Sequence, residues 1–401
     1  MHSKLNNASL RAQKNTTVKL SLNDSIDLVK AEDWDTVVGD QNIYLTRSYL
    51  GALEKALESD IDFRYTIFYN DRLIPMAVSY IQIMQFADTG STYKESFCYI
   101  GDKIKNKLIG SIDARVLICG NVFACGENGF AYTSDLTPKE AHSILSQSMK
   151  RLSEEKDANG QVSFGLLKEF WPHSFQHSDN LAEHNYKGFE IYVNMVMNIP
   201  SEWNAFEDYL NDMTTKFRTK AKGVLKKSSP IEVRGLNLDE IIENSKRIEE
   251  LYLNVLAKAD FKFGELNAQA FINFKQNLKE KFILTGYFLN EKMVGFSSAF
   301  LCEGKGDANY VGLDYEFNKD YALYQRMLYD FVDLAIREKL SVLRLGRTSE
   351  LLKSSIGAEP VPMKLYLRHR NSISNSLIGP LIASISPSEF ELRPPFKKAL
   401  S

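Results

Sequence analysis

The chain has 401 residues, enough for two or three domains, each with its own core. Charged residues are 25% and apolar residues 44%, with a formal net charge of −2, a balance that argues against bulk attraction to nucleic acid or anionic membrane. No run approaches the roughly 18 apolar residues that span a bilayer, and the polar start MHSKLNNASLRAQKNTTVK has no apolar core segment of a secretory signal, so a cytoplasmic protein is expected.

The four cysteines, Cys98, Cys119, Cys125 and Cys302, show no paired metal spacing, and the six histidines form no HxxxH or HExxH motif. A bound metal or permanent cofactor is therefore not expected. Cys119 and Cys125, flanking Gly120 to Ala124, read as buried structural residues.

In chain order, residues 1–25 read as a disordered tail and Ser25 to Val38 as a strand and turn around Trp34. Tyr44 to Glu58 reads as a helix with Tyr49, Leu50, Leu53, Ala56 and Leu57 on one face. Phe63 to Phe86 gives two β runs around Asn70-Asp71-Arg72, a hairpin signal. Ala87 to Lys107 reads as loop, and Ala114 to Ala124 as a buried strand. Thr137-Pro138-Lys139-Glu140 is a capping box opening a helix that ends near Asn159-Gly160, followed by a strand at Val162 to Leu167.

The second half opens with an apolar strand, Gly188 to Ile199. Trp203 to Leu225 reads as a basic helix, then Asp239 to Ala259 and Phe271 to Lys281 as two more. Phe282 to Glu303 is a second hairpin around Asn290-Glu291-Lys292. Tyr310 to Thr348 then gives strand, short turn, amphipathic helix and a strand ending in Gly346-Arg347-Thr348. The turn Glu316 to Asp320 feeds a helix start, where free N–H groups and the positive end of the dipole favour phosphate.

The two hairpins match beyond simple alternation. Phe68 to Tyr80 reads FYNDRLIPMAVSY and Phe288 to Phe300 reads FLNEKMVGFSSAF. Each is followed by further strand, a helix and a Gly-containing apolar strand, which points to duplication of one α/β unit.

This order of elements resembles the GNAT acyltransferase fold, and two such halves in one chain resemble the FemABX and FemAB-like group. The resemblance covers about Trp34 to Asn371. It rests most on Leu117 to Phe130, Thr214 to Lys227 and Leu345 to Asn371. It implies an α/β chain of two tandem GNAT-like domains with mixed, mostly antiparallel sheets and flanking helices. The expected boundaries are 26–187 and 188–385, with a C-terminal tail at 386–401 and the donor in the second domain.

The GNAT donor loop is usually Arg/Gln-x-x-Gly-x-Gly/Ala. Here Asn318, Lys319, Asp320, Tyr321, Ala322 and Leu323 occupy that place without a glycine, which puts tight binding of free coenzyme A in doubt and leaves other donors open. The resemblance makes Asn318, Lys319, Tyr321 and Ala322, with Gly346, Arg347 and Thr348, the donor-binding candidates. Arg347 offers a planar fork for phosphate or carboxylate. Asp314, Tyr315 and Tyr324 are the catalytic candidates, a carboxylate to take the amine proton and a phenol to protonate the leaving thiolate. Lys216, Arg218 and Lys222 on the basic helix are candidates for an anionic acceptor or partner; a solvated face is the alternative.

The expected activity is transfer of an acyl group from acyl-CoA or an acyl carrier protein to an amine. The acceptor would be a long-chain amino base or another amphipathic or anionic amine in lipid biosynthesis, with peripheral membrane contact as a further expectation and DNA excluded. Two alternatives stay open: aminoacyl-tRNA-dependent transfer to a cell-wall precursor, and a non-catalytic pair that binds an acidic partner or phosphorylated ligand.

Overall fold

Sixteen strands run through the computed structural model, which describes residues 9–11, 17–86, 114–157, 160–258, 264–382 and 390–397. They are β1 Ser9–Arg11, β2 Thr17–Asn23, β3 Asp62–Tyr69, β4 Pro75–Phe86, β5 Ala114–Cys119, β6 Phe130–Tyr132, β7 Lys156–Asp157 and β8 Gly160–Gln161. There follow β9 Phe164–Phe170, β10 Lys187–Asn198, β11 Glu232–Gly235, β12 Phe282–Leu289, β13 Lys292–Cys302, β14 Lys305–Leu313, β15 Val342–Arg344 and β16 Glu359–His369. The chain forms two compact units, and neither is a single run of sequence. The first holds residues 1–192, 260–266 and 362–387; the second holds 193–259, 267–361 and 388–401.

In the first unit β1, β2, β3, β4 and β5 pair antiparallel in that order, with β6 also on β4. β5 then pairs parallel with β9 over Val116↔Phe164 to Cys119↔Leu167, and β9 pairs antiparallel with β16. β7 and β8 form a separate two-stranded ribbon. The parallel pair needs a crossover, supplied by the helix Pro138–Glu154. Its apolar face, Ile144, Leu145, Met149 and Leu152, is buried.

The second unit repeats this connectivity. β11, β12, β13 and β14 pair antiparallel, β14 pairs parallel with β15, and β15 pairs antiparallel with β10. The crossover from β14 to β15 carries the helix Leu323–Arg337, which buries Met327, Leu328, Phe331, Val332 and Ala335. Each unit is thus closed by a strand that follows the core of the other in sequence. Residues 193–198 of β10 belong to the second unit, and residues 362–369 of β16 belong to the first.

Several elements differ from the sequence reading. Ser25 to Val38 is a 3-10 turn, Ile26–Leu28, and a helix, Ala31–Val38, rather than a strand. Trp34 is fully buried, and its Nε1 donates to the Leu45 carbonyl at 2.8 Å. A side chain that spends its indole on one backbone carbonyl settles the element by tertiary contact rather than local propensity. Thr17–Asn23, inside the expected tail, is a strand paired with β3. The expected C-terminal tail contributes Phe396, which packs 5.7 Å from Trp203 and 5.8 Å from Tyr209. Trp203 to Leu225 is two helices, Phe206–Asp212 and Thr215–Lys227, and Asp239 to Ala259 is also two, Leu238–Glu243 and Ser245–Leu256. The loop read at Ala87 to Lys107, and Cys98, lie outside the described residues.

Both hairpins form, though their tips differ. Asn290 and Glu291 both have positive φ, 48° and 65°, the pattern of a two-residue type I′ turn. In the first hairpin Asn70 Oδ1 instead accepts from the Arg72 and Ile74 amides at 2.9 and 3.0 Å, organising a longer loop.

Gly129 is where backbone meets backbone. A Cβ there would stand 2.2 Å from the Gly120 nitrogen and 2.6 Å from the Cys119 carbonyl carbon. Backbone cannot yield as a side chain can. Gly129→Ala should lower stability by about 1–3 kcal/mol, read as an earlier urea midpoint; an unchanged midpoint would show that the loop relaxes freely.

Candidate functional site

The second unit's sheet parts at one place. β14 pairs with β15 only at Lys305↔Val342, Gly306↔Leu343 and Asp307↔Arg344. Beyond Asp307, β14 runs on to Leu313, but the chain after Arg344 keeps only its pairing with β10. The Leu345 amide donates to the Met195 carbonyl at 2.8 Å, and the Met195 amide to the Gly346 carbonyl at 3.0 Å. On the other side of β14 the register to β13 shifts between Ser297 and Ala299. Ser298 Oγ sits at that irregularity, within 2.6 Å of the Tyr310 amide. A bulge bends its strand, and here the bend falls where β14 and β15 diverge.

Gly346 stands at the mouth of this split with φ +71°. Its amide donates to Asn194 Oδ1 at 3.1 Å, and Asn194 is fully buried. A Cβ on Gly346 would meet nothing nearer than Asn309 Oδ1 at 4.0 Å, so the space beside it is open. Thr348 and Ser349 follow, both left-handed at φ 64° and 55°. A β-branched residue there costs free energy and needs its surroundings to hold it. Lys353 supplies part of the hold: it is buried and its Nζ donates to the Arg347 carbonyl at 2.5 Å. Arg347 itself is half-buried and Thr348 exposed.

The donor turn expected at Glu316 to Asp320 is not a turn. It is the short helix Tyr315–Tyr321, and the break comes one residue later, at Ala322, with φ 50° and ψ 40°. The sequence signal failed because no glycine or proline marks the break; Ala322 adopts the left-handed conformation instead. Asn318 spans the break, its Oδ1 accepting from the Tyr324 amide at 2.9 Å. Tyr321 packs against Phe317 with ring centres 6.4 Å apart. The Lys319 carbonyl accepts from Lys227 Nζ at 2.5 Å, which ties the end of the basic helix to this turn.

The two crossover helices begin differently. In the first unit Thr137 and Glu140 form the expected capping box, and the Glu140 carboxylate accepts from the Thr137 amide at 3.0 Å. That start carries its own anion. The helix Leu323–Arg337 has no side-chain cap at its Ala322 N-cap and no acid in its first turn. The first turn of a helix leaves N–H groups without helical partners and concentrates positive potential. Of the two crossover helices, the second unit's is the one whose start suits an anionic group.

Asp314 caps the helix Tyr315–Tyr321, its Oδ1 accepting from the Glu316 amide at 3.3 Å. Its Oδ2 accepts from Arg247 Nη2 at 2.7 Å and lies 3.5 Å from Lys292 Nζ. Burial works against the charged carboxylate, but the Arg247 hydrogen bond and the Glu316 amide hold its pKa below the usual carboxylate range. A carboxylate so engaged suits fixing the end of β14 more than taking a proton. Tyr315 lies under Lys258 Nζ, 3.5 Å from the ring centre. Tyr324 has its phenol pushed up by burial, against a hydrogen bond with Ser349 and with Tyr315 and Glu350 near. The fold therefore brings Tyr324 to the loop that carries Thr348.

Lys216, Lys220, Lys222, Lys226 and Lys227 are exposed along the helix Thr215–Lys227, with Arg218 half-buried and donating to the Met213 carbonyl. None of the six forms an ion pair among the described residues. Burial and the neighbouring charges of Arg393 and Lys216 push the Lys220 ammonium below its usual range. Ala221 and Val224 are the buried side. Lys216, Arg218 and Lys222 thus belong to a positive face that local acids do not neutralise. Ser298, Asn309, Arg247, Ser349 and Lys353 were not singled out in the sequence; small polar residues inside an apolar strand, as at Ser297-Ser298, were the available signal for the bulge. Cys119 and Cys125 are buried as expected, and burial pushes the Cys119 thiol well above its ordinary range. Among the described residues no group of three His, Cys, Asp or Glu could hold a metal, and no helix is long and apolar enough to cross a membrane.

No protein-family model and no curated protein sequence matches the chain. Solved structures do. FemX is 11% identical, with 84% of this chain and 96% of FemX covered at a TM-score of 0.53. A tandem GNAT protein from the clavulanic acid biosynthesis pathway is 7% identical, with 88% of this chain and 99% of that one covered at a TM-score of 0.52. With the repeated connectivity of the two units, these likenesses define the fold: an α/β chain of tandem GNAT architecture.

A carboxyl whose pKa is depressed in the folded state stabilises above its ordinary range and loses that contribution as pH falls through its folded value. Asp314→Asn should therefore cost about 1–2 kcal/mol at neutral pH, and the gap from the parent should narrow as pH falls from neutral to about 2. Thermal unfolding at the two pH values measures it; an equal gap at both would mean that the Arg247 and Lys292 pairing contributes nothing.

Proposed function

We propose that this protein is an N-acyltransferase whose second unit holds an acyl thioester in the split between β14 and β15. The observation that carries the reading is the parting of these strands after a three-residue ladder, together with a crossover helix whose first turn carries no acid. An extended donor arm laid in the split would find strand backbone on each side. A phosphate group at its far end would meet the first turn of the helix Leu323–Arg337. Asn318, Lys319, Tyr321 and Ala322 shape that turn, and Gly346, Arg347 and Thr348 form the opposite lip. The tandem GNAT fold is in keeping with an acyltransferase, but a fold alone does not fix a reaction or substrate.

In such a transfer the acceptor amine attacks the thioester carbonyl carbon, the C–S bond breaks to release a thiolate that gains a proton, and the nitrogen gives up its proton to water as the amide forms. Tyr324 is the donor of choice, because its phenol carries a proton at neutral pH and stands beside Ser349 in the loop that carries Thr348. Asp314 positions the strand end and the helix start. The donor is an acyl-CoA or an acyl carrier protein. The glycine-free turn favours a donor held by more than its pyrophosphate. The acceptor in this reading is an amphipathic or anionic amine, such as a long-chain amino base.

The unneutralised face of the helix Thr215–Lys227 favours a second reading, in which the donor is an aminoacyl-tRNA. Its Lys227 reaches the donor turn itself, so a polyanion on that face would lie against the candidate site.

Thermal unfolding with acetyl-CoA, a long-chain acyl-CoA and an acylated carrier protein, each alone, tests the donor. One present at ~100 times its dissociation constant should add about 2.7 kcal/mol. No rise with any of the three would overturn the thioester reading. Arg347→Ala should abolish transfer while leaving the unfolding midpoint close to the parent's; full activity in this variant would remove Arg347 from the site.

Changing Lys216, Arg218 and Lys222 together to Ser should weaken binding of an anionic substrate and flatten its salt dependence. Unaltered affinity and salt dependence would make the basic face merely solvated.

A further inference from the structure

A hollow of about 480 Å³ lies in the second unit, on the sheet face beside the helix Leu323–Arg337. Its lining includes Ser298, at the bulge on β13, but no residue of β14 or β15. Its floor is Thr285 on β12 with Ser297 and Ala299 on β13, and Gly235 ends β11 at its edge. A sheet face beneath a helix is ordinarily apolar and filled. Here small and hydroxyl side chains leave the space unfilled. The polarity continues inward. Ser297 is buried, and its Oγ lies 3.3 Å from the hydroxyl of the fully buried Tyr287, which also hydrogen bonds Asp330.

The wall is charged in a definite order. Arg326, Asp330, Asp333 and Arg337 all line the hollow from the same helix. Arg326 pairs with Asp330 at 2.8 Å and Arg337 with Asp333 at 3.0 Å. The sequence of charge along the wall is plus, minus, minus, plus, spread over roughly 16 Å of helix. Arg234 and Glu338 add one charge of each sign. The hollow as a whole is neutral but strongly dipolar. A lone cation meets three arginines there and a lone anion meets three carboxylates. A ligand carrying both charges can engage an aspartate and an arginine at once and replace the water each gives up.

We infer that this hollow is a binding site for a small zwitterion bearing an ammonium and a carboxylate on one short carbon frame. Its carboxylate is received by the guanidinium of Arg326 or Arg337 and its ammonium by Asp330 and Asp333, with Thr285 and Ser297 offering hydroxyls to the frame. The volume falls in the range of small-molecule sites and admits such a ligand with accompanying water. The inference does not depend on the acyltransferase reading, because it uses neither the split nor the donor turn.

The test is ligand-observed saturation-transfer NMR and calorimetry on the full chain with four probes. β-Alanine carries both charges, n-propylamine and propionate carry one each, and glycerol carries none. Binding of β-alanine with no binding of the other three is expected. Asp333→Asn and Arg337→Gln, both on the outer part of the wall, should each weaken β-alanine about tenfold with the unfolding midpoint retained. The inference is overturned if β-alanine does not bind, if propylamine, propionate or glycerol binds as well as it does, or if binding survives the Asp333→Asn and Arg337→Gln double variant.

Discussion

The second unit is organised by a parallel ladder that stops after three residue pairs. A sheet stabilises itself by continuing its hydrogen bonds, so two neighbouring strands that part must each find other partners. The chain after β15 stays with β10, whose ladder continues through the Leu345 and Gly346 backbone. β14 is bent by the irregularity opposite Ser297 and Ala299 and pinned at its end by Asp314, Arg247 and Lys292. Gly346 can turn away because its φ is positive and its amide has Asn194 as an internal acceptor. The aperture is maintained by named contacts on both sides.

Comparison of the units sharpens the assignment of a site. They share strand order, the single parallel pair and the crossover helix. They differ at the helix start, where the first unit places the carboxylate of Glu140 and the second places none. The first unit also fills the stretch after β5 with buried polar contacts. Lys168 and Glu169, both fully buried, pair at 2.8 Å, and Glu169 accepts from the Gly126 amide at 2.7 Å. Lys168 Nζ further donates to the Ala124 carbonyl at 2.7 Å. A charged pair so enclosed is tolerated only when its remaining hydrogen bonds are satisfied. Here they are satisfied by the loop and by the Tyr192 hydroxyl, which donates to Glu169 Oε1. One copy of the unit has spent this part of its fold on internal structure, while the other leaves a split and a helix start without an acid in its first turn.

Local signals in the sequence were read well where one short-range interaction decides the outcome. The capping box at Thr137 and Glu140, the hairpin at Asn290-Glu291 and the apolar stripe of Leu323–Arg337 each depend on residues within a few positions of one another. The reading failed where distant residues decide. Ser25 to Val38 carries enough β-favouring residues to suggest a strand, yet Trp34 finds the Leu45 carbonyl and the segment closes as a helix. The turn placed at Glu316 to Asp320 had the right neighbourhood but the wrong residue, since the break falls at a non-glycine, Ala322, braced by Asn318. Among the candidate residues, Gly346, Arg347 and Thr348 were legible as a loop because a glycine after an apolar strand announces one. Asn194 and Asn309 come beside Gly346 only across the fold.

The sequence by itself determined two copies of an α/β unit, their hairpins, and the lysine-rich run of a basic helix, because each of these is written in residues a few positions apart. Only the tertiary structure decided how the copies close. β10 follows the first unit's core yet completes the second, and β16 follows the second yet completes the first. Strands buried in a sheet read alike wherever they pair, so nothing in the residues of β10 and β16 names a partner. Edge complementarity and backbone hydrogen bonding, formed only once both sheets exist, make that choice, and with it they set where β14 and β15 part.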